Sequence, residues 1–522
     1  MERDGANKSL WQLNEQYAAI NTIDVNELYD VVIVGGGITG ITLGLLLQSA
    51  GKNCLLVEAH TLGFGTTGGT TAHLNTFFDT PYSQVIKDFG RDNALLLARG
   101  AGIALDLIKK NIADWNIDCD FSELNGYLFA VNESQDEELT DIVKSCRDMQ
   151  VDADFSNNSV FPFPYSKLAI FKNQAQFNPI KYIFSLAKVF EERGGKILEH
   201  HRVMDIERQQ SSLMIKTDRV AIQAKKAIYA THIPPGAKLL DFKCAPYRSY
   251  AIAVKLASGE YPMALGYDMD DPYHYYRTQY VDGSNYLIAG GEDHKTGHES
   301  HTDACFGRLE NHVKNYFDVK EIAFRWSSQY YEPADGLPYI GKLSAADDDI
   351  YVATGFGGNG MIYGTLSAVI LSNMVVHGQS IYEDLFNPGR VKPVAGFSNI
   401  VKEGADVVKH FLGDKFSANK IKTFSEIISG EGSVVKHDGQ TLAVYKDQAN
   451  ELHIVDPVCT HLKCNVSWNP AEKSWDCPCH GARYSIEGEV LNGPACISLK
   501  KMQVREEEEN NGSLKNNTAV RK

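Results

Sequence analysis

The sequence has no uninterrupted apolar run of the ~20 residues that a membrane-spanning helix needs. Its first twenty residues are polar, without the apolar segment of an export signal. A cytoplasmic protein with no membrane span is therefore expected. Basic charge is in deficit: 51 Lys and Arg face 66 Asp and Glu, a net of −15 with His neutral. That excludes a general nucleic-acid binder, which needs basic surface to neutralise phosphates. Cysteine is sparse, ten in 522 residues, too few for a disulfide scaffold. There is no internal repeat, and no Ser-His-Asp or paired-carboxylate arrangement that would suggest hydrolysis. What remains is ordinary globular usage, 43% hydrophobic and 22% charged, with length for about three or four domain-sized units. Four of the ten cysteines crowd between positions 459 and 479, a clustering that suggests metal in a cytosolic chain.

Residues 1–28 read as a polar extension, with a short helix over 11–20. Tyr29 to Val34 is β-branched and apolar, a strand buried on both faces. A glycine turn, a helix over 41–50 and a second strand over 53–58 complete a β-α-β unit. From there to about 340, helices (91–110, 135–148, 180–193) alternate with strands (126–131, 196–207, 227–231, 249–255, 285–290), which suits an α/β core with a second, mixed sheet interleaved. Residues 351–375 read as strand, Gly-rich turn and helix. Pro388, Gly389, Pro393 and Gly396 mark a change of texture. The expected units are thus 29–392, a linker with a helix (397–413) at 393–420, a small all-β domain at 421–504 and a disordered tail at 505–522.

Gly35-x-Gly37-x-x-Gly40 lies between strand and helix. Gly35 permits the tight turn, Gly37 lets a pyrophosphate approach the backbone, and Gly40 lets helix pack on strand. The helix N-terminus at Ile38 and Thr39 offers free N–H groups to phosphate. Glu58, at the end of the second strand, stands where a carboxylate takes ribose hydroxyls. This fingerprint points to a dinucleotide without deciding between FAD and NAD. Three further segments decide: Gly63 to Thr71, rich in Gly and Thr; Ala230-Thr231-His232 at a strand end; and Val352 to Met361, a second Gly-rich strand-to-helix turn whose helix dipole could face a flavin ring. Over about 29–390 the sequence resembles the D-amino-acid-oxidase-like superfamily of FAD oxidoreductases. The resemblance implies FAD contacts from Gly35, Gly37, Gly40, Glu58, Thr66, Thr67 and the 355–361 turn (Gly355, Gly357, Gly360, Met361), with Val203 near the adenine. Gly69 aligns with the His that some members bond to flavin, and His73 is four residues away, so covalent attachment is not expected.

Cys459-Thr460-His461 and Cys477-Pro478-Cys479-His480 form the second constellation. Two thiolates and two imidazoles could hold tetrahedral Zn. The short loops and their spacing instead resemble the Rieske [2Fe-2S] domain, in which two Cys hold one iron and two His the other. That resemblance, over about 421–504, implies Cys459 and Cys477 as thiolate ligands and His461 and His480 as imidazole ligands. It also implies a Cys464–Cys479 disulfide, as in the cytochrome-bc type. High-potential members carry a Ser after the Gly and a Tyr two residues beyond; here Ala482 and Tyr484 stand there. One hydroxyl donor to the cluster is lost, so the potential should lie below the top of the roughly −150 to +300 mV range. An imidazole edge near the surface is the expected electron exit.

The substrate region is less legible. Arg277 could pair with a substrate carboxylate, with Tyr276 beside it; Tyr247, Arg248 and Tyr250 form a second candidate group, and structural use is expected of Asp335. The resemblance implies oxidation of a C–N bond in a small amine or amino acid, with electrons passing from FAD to the cluster and on to a single-electron acceptor protein. Two other readings stay open: reverse flow, with a donor protein feeding a reductase through the cluster, and a non-enzymatic relay or redox sensor.

Overall fold

The computed structural model describes residues 3–13, 17–20, 22–236, 238–344, 347–390, 419–421 and 424–503. The helix expected at 397–413 and the tail 505–522 lie outside the described residues.

The core of the first unit is a sheet whose central strand, Leu28–Val34, pairs in parallel with Cys54–Val57 on one side and Ala221–Tyr229 on the other. Asp347–Thr354 extends it in parallel beyond Ala221–Tyr229. Val31 to Val34 are all buried, because Val32 and Val34 pack among strand residues such as Leu213 and Ile215 while Val31 and Ile33 pack against helices. One of them, Gly360–His377, is apolar all round. By length and composition it could cross a membrane, which the search for apolar runs did not find, yet it packs against Ile38–Ser49 and Arg91–Asp114 with most of its residues buried.

The second sheet of this unit has nine strands, among them Val319–Pro333, Cys244–Leu256, Ser284–Lys295 and His274–Val281 as successive neighbours. The chain passes repeatedly between the two sheets, so the nucleotide and substrate regions are interleaved, as the mixed helix–strand pattern suggested. Two four-stranded sheets at the C-terminal end make the all-β domain.

The N-terminal extension departs from expectation. Among the described residues a 3-10 turn forms at Leu10–Gln12 and 17–20 are not helical, while 14–16 of the helix expected over 11–20 lie outside the described residues. The segment makes tertiary bonds instead: Trp11 donates its indole N–H to the Thr70 carbonyl (2.6 Å) and Ser9 its hydroxyl to the Gly68 carbonyl (2.5 Å). Nearer the start, the chain straps the two units together. Arg3 donates to the Ser327 carbonyl (2.6 Å) in the first unit, and Arg483 of the all-β domain donates to the Asp4 carbonyl. Glu472 accepts from the Ala6 N–H (2.7 Å) and pairs with Arg248 (3.7 Å), both side chains fully buried. Burial alone would raise the Asp4 carboxyl; Arg3, Arg483 and Arg248 together hold it below its usual range.

Candidate flavin site and metal centre

The glycine turn leaves the C-terminal end of the central strand and enters the helix Ile38–Ser49. A Cβ on Gly40 would lie 2.0 Å from the Gly35 carbonyl oxygen, so only glycine allows this crossing. Glu58 accepts N–H bonds from Gly36 (2.7 Å) and His60 (2.8 Å). Burial pushes its carboxyl up, against the pull of those two amides and of Arg202. Of the residues expected on the cofactor, all but Gly40 and Gly355 line one cavity. Those two shape its floor: Gly355 has φ +75° and packs against Cys244 and Pro333. The cavity also holds His232, whose Nε2 bonds the Thr66 hydroxyl (2.8 Å), while buried Thr231 Oγ1 and His232 Nδ1 have no partner among the described residues. Unpartnered polar atoms and a wall without side chains at Gly35 and Gly37 fit a bound dinucleotide. One stretch of this wall was not foreseen: Leu491 to Cys496 of the all-β domain close one side of the cavity, and Arg202 reaches across to the Val490 carbonyl (2.9 Å).

In the all-β domain the loops 456–466 and 477–482 meet. The Cys459 and Cys477 thiols are in hydrogen-bonding contact, and the His461 and His480 rings stand edge to face with centroids 5.1 Å apart. Cys464 and Cys479 form the implied disulfide. His461 Nε2 points at the Asp241 carboxylate (3.3 Å), which leaves its buried Nδ1 unpartnered; both ring nitrogens of His480 are unpartnered too. Two adjacent thiols and two orphaned imidazole nitrogens are the donor set of a [2Fe-2S] centre. The Tyr484 hydroxyl lies 3.2 Å from Cys459 Sγ, whereas Ala482 offers no donor. Of the two imidazoles expected at the exit, His480 is 2% exposed and stands edge-on to Phe242, whereas His461 stays 11% exposed beside Asp241, so the imidazole side lies against the first unit with only the His461 edge reaching solvent.

The candidate substrate residues need correction. Arg277 is fully buried, donating to the carbonyls of Thr71 (2.6 Å), Ala72 (3.0 Å) and Phe177 (3.2 Å) and to Gln279, with Trp11 stacked 5.3 Å away. A guanidinium so occupied is not free for a substrate carboxylate. Tyr276, also fully buried, packs on Phe163 and Phe317. Strand alternation explains the miss, since neighbours on a strand face opposite ways: Tyr275 and Tyr273 share the other face. Arg248 is fully buried between the units, its Nη1 bonded to Ser327 and paired with Glu472, with Nε and Nη2 without partners among the described residues. Asp335 has the structural use expected, clamping Arg390 through two 2.7–2.8 Å bonds.

What the sequence did not disclose is a recess beside the Gly357–Gly358 turn. Asp79 accepts from the Gly358 N–H (2.9 Å) and from Asn359 (3.3 Å). A Cβ on Gly357 would lie 3.4 Å from Asp79 Oδ2 and 3.6 Å from both Glu332 carboxylate oxygens. The Tyr330 hydroxyl donates to Asp293 Oδ2 (2.7 Å), and Tyr275 bonds Ser249 (2.8 Å). Burial raises the Asp293 carboxyl to about 6 and, helped by the charges of Asp79 and Asp293, the Glu332 carboxyl to about 8. Gly357 and Tyr330 line the dinucleotide cavity as well, so recess and cavity adjoin.

Comparison with known proteins decides the family. Residues 30–374 match the family of FAD-dependent oxidoreductases (DAO), and residues 418–503 match the Rieske [2Fe-2S] domain. The chain belongs to the FAD-dependent oxidoreductase family, with a Rieske domain at its C-terminal end. Its FAD and [2Fe-2S] cofactors follow. A Bacillus subtilis (strain 168) protein described as "Putative Rieske 2Fe-2S iron-sulfur protein YhfW" is 32% identical over 501 residues, 96% of this chain and 98% of its own. Gamma-glutamylputrescine oxidoreductase of Escherichia coli (strain K12) is 23% identical, over 69% of this chain and 86% of its own. In fold, the first unit is similar to glycine oxidase from Geobacillus kaustophilus: TM-score 0.60 and 18% identity, covering 70% of this chain and 100% of that one.

In this oxidoreductase the flavin cavity and the cluster loops share a wall. Tyr331 lines the cavity, tilts against His232 (centroids 5.1 Å apart) and directs its hydroxyl to the His480 carbonyl (3.3 Å). Gln329 donates to the Gly481 carbonyl (2.9 Å), while its own carbonyl accepts from Thr66 (2.7 Å).

Proposed function

We propose that this oxidoreductase removes two electrons from the C–N bond of a small amine or amino acid seated in the recess, and delivers them one at a time to an acceptor protein in the cytoplasm. The chemistry supplied there when the groups are bound would be two-electron acceptance by FAD and single-electron transfer by a [2Fe-2S] cluster. The chain's own residues bind, orient and connect. The Gly35–Gly40 turn and Glu58 hold the nucleotide end; Thr66, Thr67 and the 357–361 turn hold the flavin end. Tyr330 and Tyr275 shape the recess over it, and a positioned amine needs little further help for hydride transfer.

The observation that carries this reading is Tyr331, one residue in contact with both the flavin cavity and the His480 loop. Anaerobic mixing of the holoenzyme with pools of amines, amino acids and N-methylated glycines tests it, with flavin absorbance and cluster EPR read on the same sample. Flavin bleaching followed by a growing cluster signal is expected. No bleaching, in protein whose flavin and cluster both reduce with dithionite, would overturn it.

A further inference from the structure

We propose that the recess selects a substrate with two cationic groups and no carboxylate, a diamine or polyamine rather than an amino acid. This rests on reading the recess as the substrate site and narrows the substrate class there.

Three carboxylates, from Asp79, Asp293 and Glu332, converge on one space. The Glu332 carboxylate has neither donor nor cation among the described residues, and the charges acting on it are those of Asp79 and Asp293. Asp293 keeps one buried oxygen, Oδ1, without a partner. The nearby guanidinium groups are already engaged: Arg277 by backbone carbonyls, Arg390 by Asp335. Asp79 stands at an exposed position and Asp293 and Glu332 are half-buried; desolvation and mutual repulsion hold the Asp293 and Glu332 carboxyls up, and a cleft lined by acidic groups concentrates cations. A bound ammonium would supply the missing partner. A carboxylate would meet repulsion and find no arginine fork to receive it.

A second, independent feature points the same way. Tyr363 is 3% exposed, its hydroxyl has no partner among the described residues, and it lies within electrostatic reach of Asp79, Glu332 and the Arg390 that Asp335 already holds. Tyr273 places its hydroxyl 3.2 Å from where a Gly358 Cβ would stand. The Tyr363 ring itself is stacked on Phe78, so these tyrosines add hydroxyl acceptors beside the carboxylates rather than a free aromatic face.

The charges fall at two poles. Asp79 and Glu332 meet at the Gly357–Gly358 turn, whereas Asp293, on Ser284–Lys295, is held across the intervening strand Cys244–Leu256 by Tyr330. Both poles border the flavin cavity, through Gly357 and Tyr330. One ammonium per pole leaves the carbon chain between them, with either C–N bond able to face the flavin.

Calorimetry on the holoenzyme tests this with three probes of similar length: 1,4-diaminobutane, butylamine and 4-aminobutyrate. Diaminobutane should bind at least tenfold tighter than butylamine, and butylamine at least as tightly as 4-aminobutyrate. Glu332→Gln and Asp293→Asn should each weaken diaminobutane at least tenfold, at unchanged flavin absorbance. As a measurement independent of folding defects, diaminobutane affinity of the unmutated protein should fall with added NaCl more steeply than that of butylamine. Tighter binding of 4-aminobutyrate, no binding of diaminobutane, or equal affinity in the variants would overturn the proposal. Flavin bleaching separates the two readings. If an amino acid bleaches the flavin and diaminobutane neither binds nor bleaches, the oxidoreductase function stands and this selectivity falls. If diaminobutane binds as described and nothing bleaches, the reverse holds.

Discussion

The four side chains proposed as cluster ligands, Cys459, His461, Cys477 and His480, come from two loops, and the Cys464–Cys479 disulfide ties those loops together. The acidic recess takes its carboxylates from Asp79, Asp293 and Glu332, three segments on separate strands and loops that meet only when both sheets of the first unit are in place. Both regions hold buried polar atoms without partners among the described residues, on His461 and His480 in the loops and on Asp293 in the recess. In the loops the cost is offset within one small domain, whose own core surrounds Cys459, Cys477 and Tyr484. In the recess it is offset by the stability of the whole unit, and by any cation that binds.

The largest effect should come from breaking the first region and sparing the second. Cys477→Ser should abolish the cluster EPR signal while FAD absorbance and amine binding in the recess persist. Loss of FAD as well would show that the two regions are not separable in this way. The closing of the flavin cavity by Leu491 to Cys496 makes that outcome informative.

Arg277→Ala should be next. It leaves the carbonyls of Thr71, Ala72 and Phe177 without their donor, at a cost of about 3 kcal/mol. The melting temperature should fall accordingly while the ranking of amine substrates stays the same. A change in ranking without loss of stability would return Arg277 to the substrate site.

Glu332 gives a pH-dependent effect. Its carboxyl is held up to about 8, by burial first and then by the charges of Asp79 and Asp293. The folded protein therefore keeps a proton that the unfolded chain releases near its ordinary value of 4.5. Stability falls as pH rises through that window. Relative to wild type, Glu332→Gln should be indistinguishable near pH 4 and more stable above pH 8, by about 2 °C. Melting curves across that range are the check, and a gap that does not widen with pH contradicts the buried-carboxyl account.

The smallest effect is Ala482→Ser. Restoring a hydroxyl donor near the cluster, beside the Tyr484 bond to Cys459 already present, should raise the reduction potential by about 60 mV, the equivalent of one charge-assisted hydrogen bond. An EPR-monitored titration reads it directly. An unchanged potential would mean that residue 482 does not face the cluster sulfurs.

The order of legibility follows how far apart the interacting residues lie. Gly35, Gly37 and Gly40 occupy consecutive turns of one backbone path, so their spacing carries their role. The same holds for the ligand loops. The helix expected over 11–20 is not formed at 11–13 or 17–20, and Trp11 and Ser9 bond across the fold to Thr70 and Gly68. Arg277 misled for a related reason. An arginine among tyrosines reads as an anion site, but its burial under Thr71 and Ala72 is a tertiary fact. Tyr275, its neighbour on the same strand face, does border the acidic region, bonded to Ser249 and within reach of Asp293.

By itself, then, the sequence determined the family, the two cofactors, the glycine cradle and the set of thiol and imidazole donors, because each depends on residues a few positions apart along one chain path. The tertiary structure alone decided the rest: that the imidazoles of the Rieske domain face the flavin unit, that Arg3 and Asp4 strap the units together, and that Asp79, Asp293 and Glu332 share one recess. Charges interact through space, and no spacing along the chain records which of them folding will bring together.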